Sequence, residues 1–317
     1  MISQHTLRNA IHASGIGLHT GRSVRLSIRP APPNHGICFV RTDLDPHTTI
    51  PADVEHVVDS TLATTIGVHE VTLSTIEHLM AAFAGFGVDN ALIEVNAPEI
   101  PIMDGSAAPF VFLLQSAGLA KQDVPKKFLK IRKKVKVVDA RNHVRAELQP
   151  SDDFRIEFRI EYEHPVFWRH ADHAVVEFSK TTFIKEVSRA RTFGFLADYE
   201  RLKSRNLALG GSLDNTLVVG DAAILNEGKL RLKDEFVKHK ILDAVGDLYL
   251  LGHNLIGTFV GQRSGHTTNY ELVKALGSTP NAFEYVTFND PAELPSGYSG
   301  QYDDVVETVP ESVAVAV

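Results

Sequence analysis

His239 and Asp243 stand four residues apart in the stretch Asp234-Glu-Phe-Val-Lys-His-Lys-Ile-Leu-Asp-Ala-Val-Gly-Asp247. On a helix, the imidazole and the carboxylate emerge one above the other on one face, a spacing that can hold a single divalent cation. Asp247 continues the stripe one turn further. The ordinary use of such a pair is a solvated face or a weak helix-stabilising contact. A dense apolar run flanks this one, so part of the stripe is expected to be buried, and buried ionisable groups need partners or a metal.

Three further pieces bear on that chemistry. Glu77-His78 offers a second imidazole, and His78 with His239 and Asp243 makes three protein ligands. Three ligands leave the fourth tetrahedral position of zinc open, as in a catalytic rather than a structural site. Glu77 could then take the proton of an activated water, and the reaction would be hydrolysis of a polarised carbonyl. Ser74-Thr-Ile-Glu77 also fits a capping box, in which Glu77 folds back on the helix start. Arg263-Ser-Gly-His266 reads either as a surface turn or, beside a carboxylate such as Asp247, as an imidazolium able to stabilise an oxyanion and protonate a leaving amine. Ser188-Arg-Ala-Arg-Thr-Phe-Gly194 is a strand end or loop, or it lends the Thr192 hydroxyl to the oxyanion.

The elements that must position these residues are legible in outline. Phe236, Val237, Ile241, Leu242, Val245 and Leu248 recur at helical intervals, with Asp234 and Glu235 in the first turn and Gly252 as the stop. A second helix is expected over 74–83, ended by Gly85 and Gly87, and a third over 108–116. Val24–Ile28, Ala91–Val95, Phe128–Arg132, Lys134–Val138 and Phe154–Ile160 alternate as strands. The polar stretch 120–127 reads as a linker between two halves. Strands and helices in separate runs predict α+β layers rather than a doubly wound sheet.

Composition narrows the function classes. A chain of 317 residues, 44% hydrophobic, has material for two domains. A formal net charge of −7 argues against a nucleic-acid partner, which would need a basic face. The single cysteine, Cys38, excludes an intramolecular disulfide and a thiolate zinc cluster. Neither a signal peptide nor a membrane span is expected, and the expected location is cytoplasmic.

Six motifs then occur in one order: Glu77-His78, residues 100–110, Arg189 to Gly194, Leu209-Gly-Gly-Ser-Leu-Asp214, His239 to Asp243 and Ser264-Gly-His266. The series resembles the UDP-3-O-acyl-N-acetylglucosamine deacetylase family, zinc amidases of lipid A biosynthesis, from about Thr6 to Asn289. The resemblance implies an α+β fold of two domains, 1–122 and 127–303, each a β-sheet with a helical layer and the helices sandwiched between the sheets; the acidic, small-residue-rich stretch 304–317 is expected to be a flexible tail. It implies that His78, His239 and Asp243 bind Zn2+ and that Glu77 is the general base. His266 becomes the general acid, oriented by Asp247, and Thr192 with Lys240 supports the oxyanion. A small βαβ insert, about 193–227, would form a passage for the acyl chain, with Leu18, Phe193, Leu196, Ala208, Leu213 and Val218 as substrate contacts. Two positions depart from the family pattern. A turn that usually carries Lys for the diphosphate reads Ala140-Arg-Asn-His143, and Arg263 replaces a Lys while keeping positive charge for phosphate. The implied reaction is loss of acetate from the 2-acetamido group of UDP-3-O-acyl-N-acetylglucosamine. The sequence does not reveal the oligomeric state, and a monomer is the expectation. The competing readings are a zinc hydrolase of other specificity, such as a peptidase or another sugar amidase, and a non-enzymatic sugar-nucleotide-binding module.

Overall fold

The computed structural model describes residues 1–300, so the tail expected over 304–317 lies outside the described residues. The first half is built on a five-stranded sheet in the order Ile11–Ile16, Ser23–Pro30, Ala91–Val95, Ile37–Arg41, Thr48–Pro51. In Ser23–Pro30 the alternation expected from sequence buries Val24, Leu26 and Ile28 and turns their neighbours outward. A three-stranded antiparallel sheet, Val57–Asp59, Thr65–Val68 and Val71–Leu73, follows. The second half has a seven-stranded mixed sheet around Asn254–Gln262, which runs parallel to Phe128–Ile131 and Phe154–Arg159 and antiparallel to Val144–Gln149.

Among the described residues six α-helices accompany these sheets: α1 (Glu77–Phe86), α2 (Ala108–Ala117), α3 (Lys180–Thr182), α4 (Leu196–Lys203), α5 (Glu235–Leu248) and α6 (His266–Ser278). Every residue of α1 is buried, and every residue of α5 except Lys240. Helices covered on all sides belong to the middle of a molecule, and these two pack on each other. The contact is close because Gly246 of α5 has no side chain: a Cβ there would meet the Glu77 carbonyl oxygen at 2.0 Å. The fold is α+β, as expected. No helix among the described residues is long and apolar enough to cross a membrane.

Three local expectations need correction. The stretch read as a linker is strand Leu119–Pro125, paired antiparallel with Ser3–Leu7. Its polar letters are misleading, because Gln122 bonds Asn90 and the Ala31 carbonyl from a buried position, and the fully buried Lys126 ammonium lies 2.5 Å from Asp89. The helix expected from residue 74 starts at Glu77 and runs through Gly85, with Gly87 as its left-handed cap. Its N-cap is Ile76, no side chain caps it, and the Glu77 carboxylate instead accepts the Thr64 N–H at 3.1 Å. The capping-box reading of Glu77 therefore fails. His266 opens α6 rather than lying on a surface turn.

Candidate active site

The crossing of α1 and α5 brings His78, the second residue of α1, against His239 and Asp243 of α5. One ligand atom from each lies within 4.8 Å of the others, and all three residues are buried. His78 Nε2 is 3.5 Å and His239 Nε2 3.3 Å from Asp243 Oδ1. His239 Nδ1 sits 3.1 Å from the Ala190 carbonyl; a proton donated there leaves the Nε2 lone pair for a metal. Burial lowers the His239 pKa to about 3, which keeps the ring neutral. Burial opposes charge on Asp243, but neighbouring His239 and Lys240 outweigh it and hold the carboxyl well below its ordinary value. Lys240 Nζ donates to Asp243 Oδ2 at 2.6 Å, whereas buried Oδ1 has no hydrogen-bond donor among the described residues. A desolvated anionic oxygen facing two imidazole nitrogens is a donor set that a divalent cation satisfies.

A second set adjoins the first. His266 Nδ1 lies 2.9 Å from Asp247 Oδ2, and its Nε2 faces Glu77 Oε1 at 3.8 Å. Burial opposes the charge on His266, yet Asp247 and Glu77 prevail and raise its pKa to about 9. Glu77 is itself raised by burial, an effect that His266 and His78 moderate. An acid and a base thus stand side by side with their proton affinities pushed upward, next to the three potential ligands.

A cavity of about 230 Å³ opens over these groups, lined by Glu77, His78, Thr192, His239, Lys240, Asp243 and His266. A more apolar cavity of about 450 Å³ shares Leu18, His19, Leu62, Thr192 and Phe193 with it. Its walls come largely from a βαβ unit in which Phe193–Phe195 and Leu217–Val219 pair in parallel around α4. The unit is held to the first half where Leu209 and Gly210 donate backbone hydrogen bonds to His19 and Leu18. Gly210 is required at that seam, since a Cβ would meet the Gly17 carbonyl oxygen at 2.2 Å.

Comparison with known proteins fits this arrangement. The family described as LpxC, UDP-3-O-acyl N-acetylglycosamine deacetylase, matches residues 4–278. The chain belongs to this family. Similar proteins named UDP-3-O-acyl-N-acetylglucosamine deacetylase include one from Coxiella burnetii, 54% identical over 299 residues, covering 94% of this chain and 98% of the relative. Another, from Hahella chejuensis, is 54% identical over 298 residues with the same coverage, and one from Chromohalobacter salexigens is 56% identical over 290 residues, covering 92% and 95%.

Within this family member, most residues singled out in the sequence meet at one place. Asp247 stands behind His266 rather than on the cavity wall. Leu196, Ala208, Leu213 and Val218 all line the apolar cavity, with Leu18 and Phe193 at its junction with the polar one. Arg263 does not line the cavity over Glu77 and His266. It lines an adjoining one of about 190 Å³ that also holds Tyr162 and Lys240, and its guanidinium lies 3.6 Å from Glu161. The exposed turn 140–143 lines none of the three cavities. Sequence reasoning missed Thr64, Tyr162 and Leu62. Tyr162 follows the alternating strand Phe154–Arg159 closely enough to have been a candidate; Thr64 lies in no motif.

Proposed function

We propose that this chain removes the acetyl group from the 2-acetamido nitrogen of UDP-3-O-acyl-N-acetylglucosamine, releasing acetate and a free amine, as a zinc-dependent amidohydrolase in lipid A biosynthesis. One observation carries the reading beyond the family match. A His-His-Asp donor set, an ionisable base and a buried imidazolium share a cavity that adjoins an apolar one of about 450 Å³.

In this reading His78, His239 and Asp243 hold the metal. Bound there, zinc would supply Lewis acidity that polarises the amide carbonyl and eases deprotonation of water. Glu77 takes the proton from the attacking water, and its raised pKa makes it a better acceptor than an exposed carboxylate. His266, held protonated by Asp247, delivers a proton to the departing amine. Thr192 and the Lys240 ammonium face the cavity where negative charge develops on the carbonyl oxygen. Phe193, Leu18, Leu196, Ala208, Leu213 and Val218 receive the acyl chain, and Arg263 lies where it can pair with a phosphate. The halves 1–122 and 127–303 serve as two domains whose helices bring base and acid together. A cytoplasmic location goes with a nucleotide-sugar substrate, and no second copy is needed to complete the site.

The test is direct. The purified chain should release acetate from UDP-3-O-acyl-N-acetylglucosamine, lose activity on chelation and regain it with stoichiometric zinc. Equal turnover of the same sugar nucleotide without its 3-O-acyl chain would remove the role given to the apolar cavity. Absence of zinc dependence would remove the hydrolytic reading.

A further inference from the structure

The segment 60–64 is outside every motif, yet it holds both the base and the acid of the site. Its hydrogen bonds cross from the first half of the chain to the second. The Thr64 N–H donates to Glu77 Oε2 at 3.1 Å, and the Thr64 hydroxyl donates to Asp247 Oδ1 at 2.6 Å. Four residues earlier, the Ser60 carbonyl accepts the Thr267 hydroxyl at 2.8 Å, directly beside His266. Thr64 itself is buried, so neither bond is shared with bulk water.

The consequence is seen at Asp247. Its carboxylate faces three donors: the Thr64 hydroxyl on Oδ1, the Asn269 amide on Oδ2 at 2.8 Å, and His266 Nδ1 between 2.9 and 3.1 Å from the two oxygens. Asn269 is fully buried on the same helix as His266, one turn on. A carboxylate gripped on both oxygens cannot rotate about its terminal torsion, so the direction in which it holds the imidazole is fixed. Without the Thr64 hydroxyl, Oδ1 would keep only the longer contact with His266 Nδ1 at 3.1 Å, which that nitrogen shares with Oδ2, and the plane of the carboxylate would be set by His266 and Asn269 alone.

We propose that Thr64 is a positioning residue for the hydrolytic reaction: its main chain orients the Glu77 carboxylate while its hydroxyl fixes Asp247, so that one residue of the first half sets the acid His266 in register with the base. This rests on the deacetylase reading for what the acid and base do, but not for the geometry. A device of this kind acts in the chemical step, because Thr64 lines neither cavity and its hydroxyl and main-chain N–H go to the carboxylates of Asp247 and Glu77.

The experiment compares Thr64→Val, which keeps the shape and the N–H but removes the hydroxyl, with Thr64→Ser, which restores it. In zinc-loaded protein, Thr64→Val should lower kcat by about 10- to 100-fold, the usual cost of losing an outer hydrogen bond to a site residue. KM should stay within about twofold and zinc content should be unchanged, and Thr64→Ser should recover most of the loss. In parallel, long-range 1H–15N spectra of the metal-free chain read the His266 ring directly. The Nδ1–H signal should be hydrogen-bonded in the wild type and in Thr64→Ser, and displaced in Thr64→Val. An inactive wild type, with the signal still displaced in Thr64→Val and not in Thr64→Ser, would overturn the deacetylase reading and leave the positioning role standing. Unchanged kcat and an unchanged His266 signal in Thr64→Val, or equal losses in both variants, would overturn the positioning role.

Discussion

Gly246 lies against the main chain of Glu77, so closely that a Cβ would come within 2.0 Å of the Glu77 carbonyl oxygen. One turn earlier on the same helix is Asp243, and next to Glu77 is His78. The glycine therefore sets the separation of the two halves of the proposed metal site. Gly246→Ala should force the helices apart, costing about 1–3 kcal/mol as overpacking does. It should also weaken metal binding, because His78 moves away from His239 and Asp243. Thermal unfolding and a zinc competition titration would check both effects. Unaltered zinc affinity would mean that the three ligands do not act as one set.

Glu77→Gln should leave zinc content intact and reduce turnover by about 10²- to 10⁴-fold, the range a general base contributes. Since burial disfavours the Glu77 charge, the neutral amide should not lower thermal stability. Activity close to wild type would return Glu77 to a structural role. Parallel loss of zinc would make it a ligand.

The pH dependence follows from two groups. Glu77 must be ionised, so activity falls as pH drops through its pKa, which burial raises above the ordinary carboxylate value. His266 must be protonated, so activity falls as pH rises through about 9. A bell-shaped kcat/KM profile is expected. Asp247→Asn should move its alkaline limb downward, since the Asp247 carboxylate is foremost among the charges that raise His266. An alkaline limb unmoved by that substitution would assign it to another group.

Much of this site was legible because helical spacing is a local property. His239, Asp243 and Asp247 could be placed on one face from their intervals alone; α5 starts one residue after Asp234 but ends at Leu248, and a 3-10 turn, Tyr249–Leu251, carries the chain on to the expected stop at Gly252. Glu77 was ambiguous, because Ser74-Thr-Ile-Glu77 satisfies a capping pattern; only the burial of its carboxylate against Thr64 and His266 decides against it. Lys126 was misread for a related reason. A charged residue in a polar run looks exposed, and its partner Asp89 is 37 positions away. Thr64 gave no signal at all, since its hydroxyl meets Asp247 across 183 residues and threonine is common in loops. Long-range pairing of ordinary residue types leaves no period to read.

The apolar cavity offers a test of chain recognition. Val218 lies on the short strand Leu217–Val219 of the βαβ unit and lines the cavity together with Phe195 and Leu225. Val218→Trp should fill part of that volume. The expected outcome is a loss of at least about tenfold in kcat/KM for long acyl chains with short chains spared, consistent with about 1–3 kcal/mol for a few displaced methylenes. Chain-length profiles of wild type and variant would show it, and a uniform loss at every length would place the acyl chain elsewhere.

Acid stability gives a test independent of catalysis. Burial lowers the pKa of His5 to about 3 and that of His253 to about 4, with Lys126 adding to both effects. Unfolded, each would titrate near its ordinary 6.5, so between about 6.5 and 4 the unfolded chain binds protons that the folded chain refuses. The stability these rings contribute is therefore complete above pH 6.5 and is lost as pH falls toward their folded values. Denaturant midpoints of the metal-free chain should drop between pH 7 and 4.5, leaving metal release out of the comparison. His253→Gln removes one of the titrating groups and should flatten that slope, whatever it does to stability at pH 7. An unchanged slope would mean that His253 is protonated in the folded chain and that Lys126 does not act on it as its position implies.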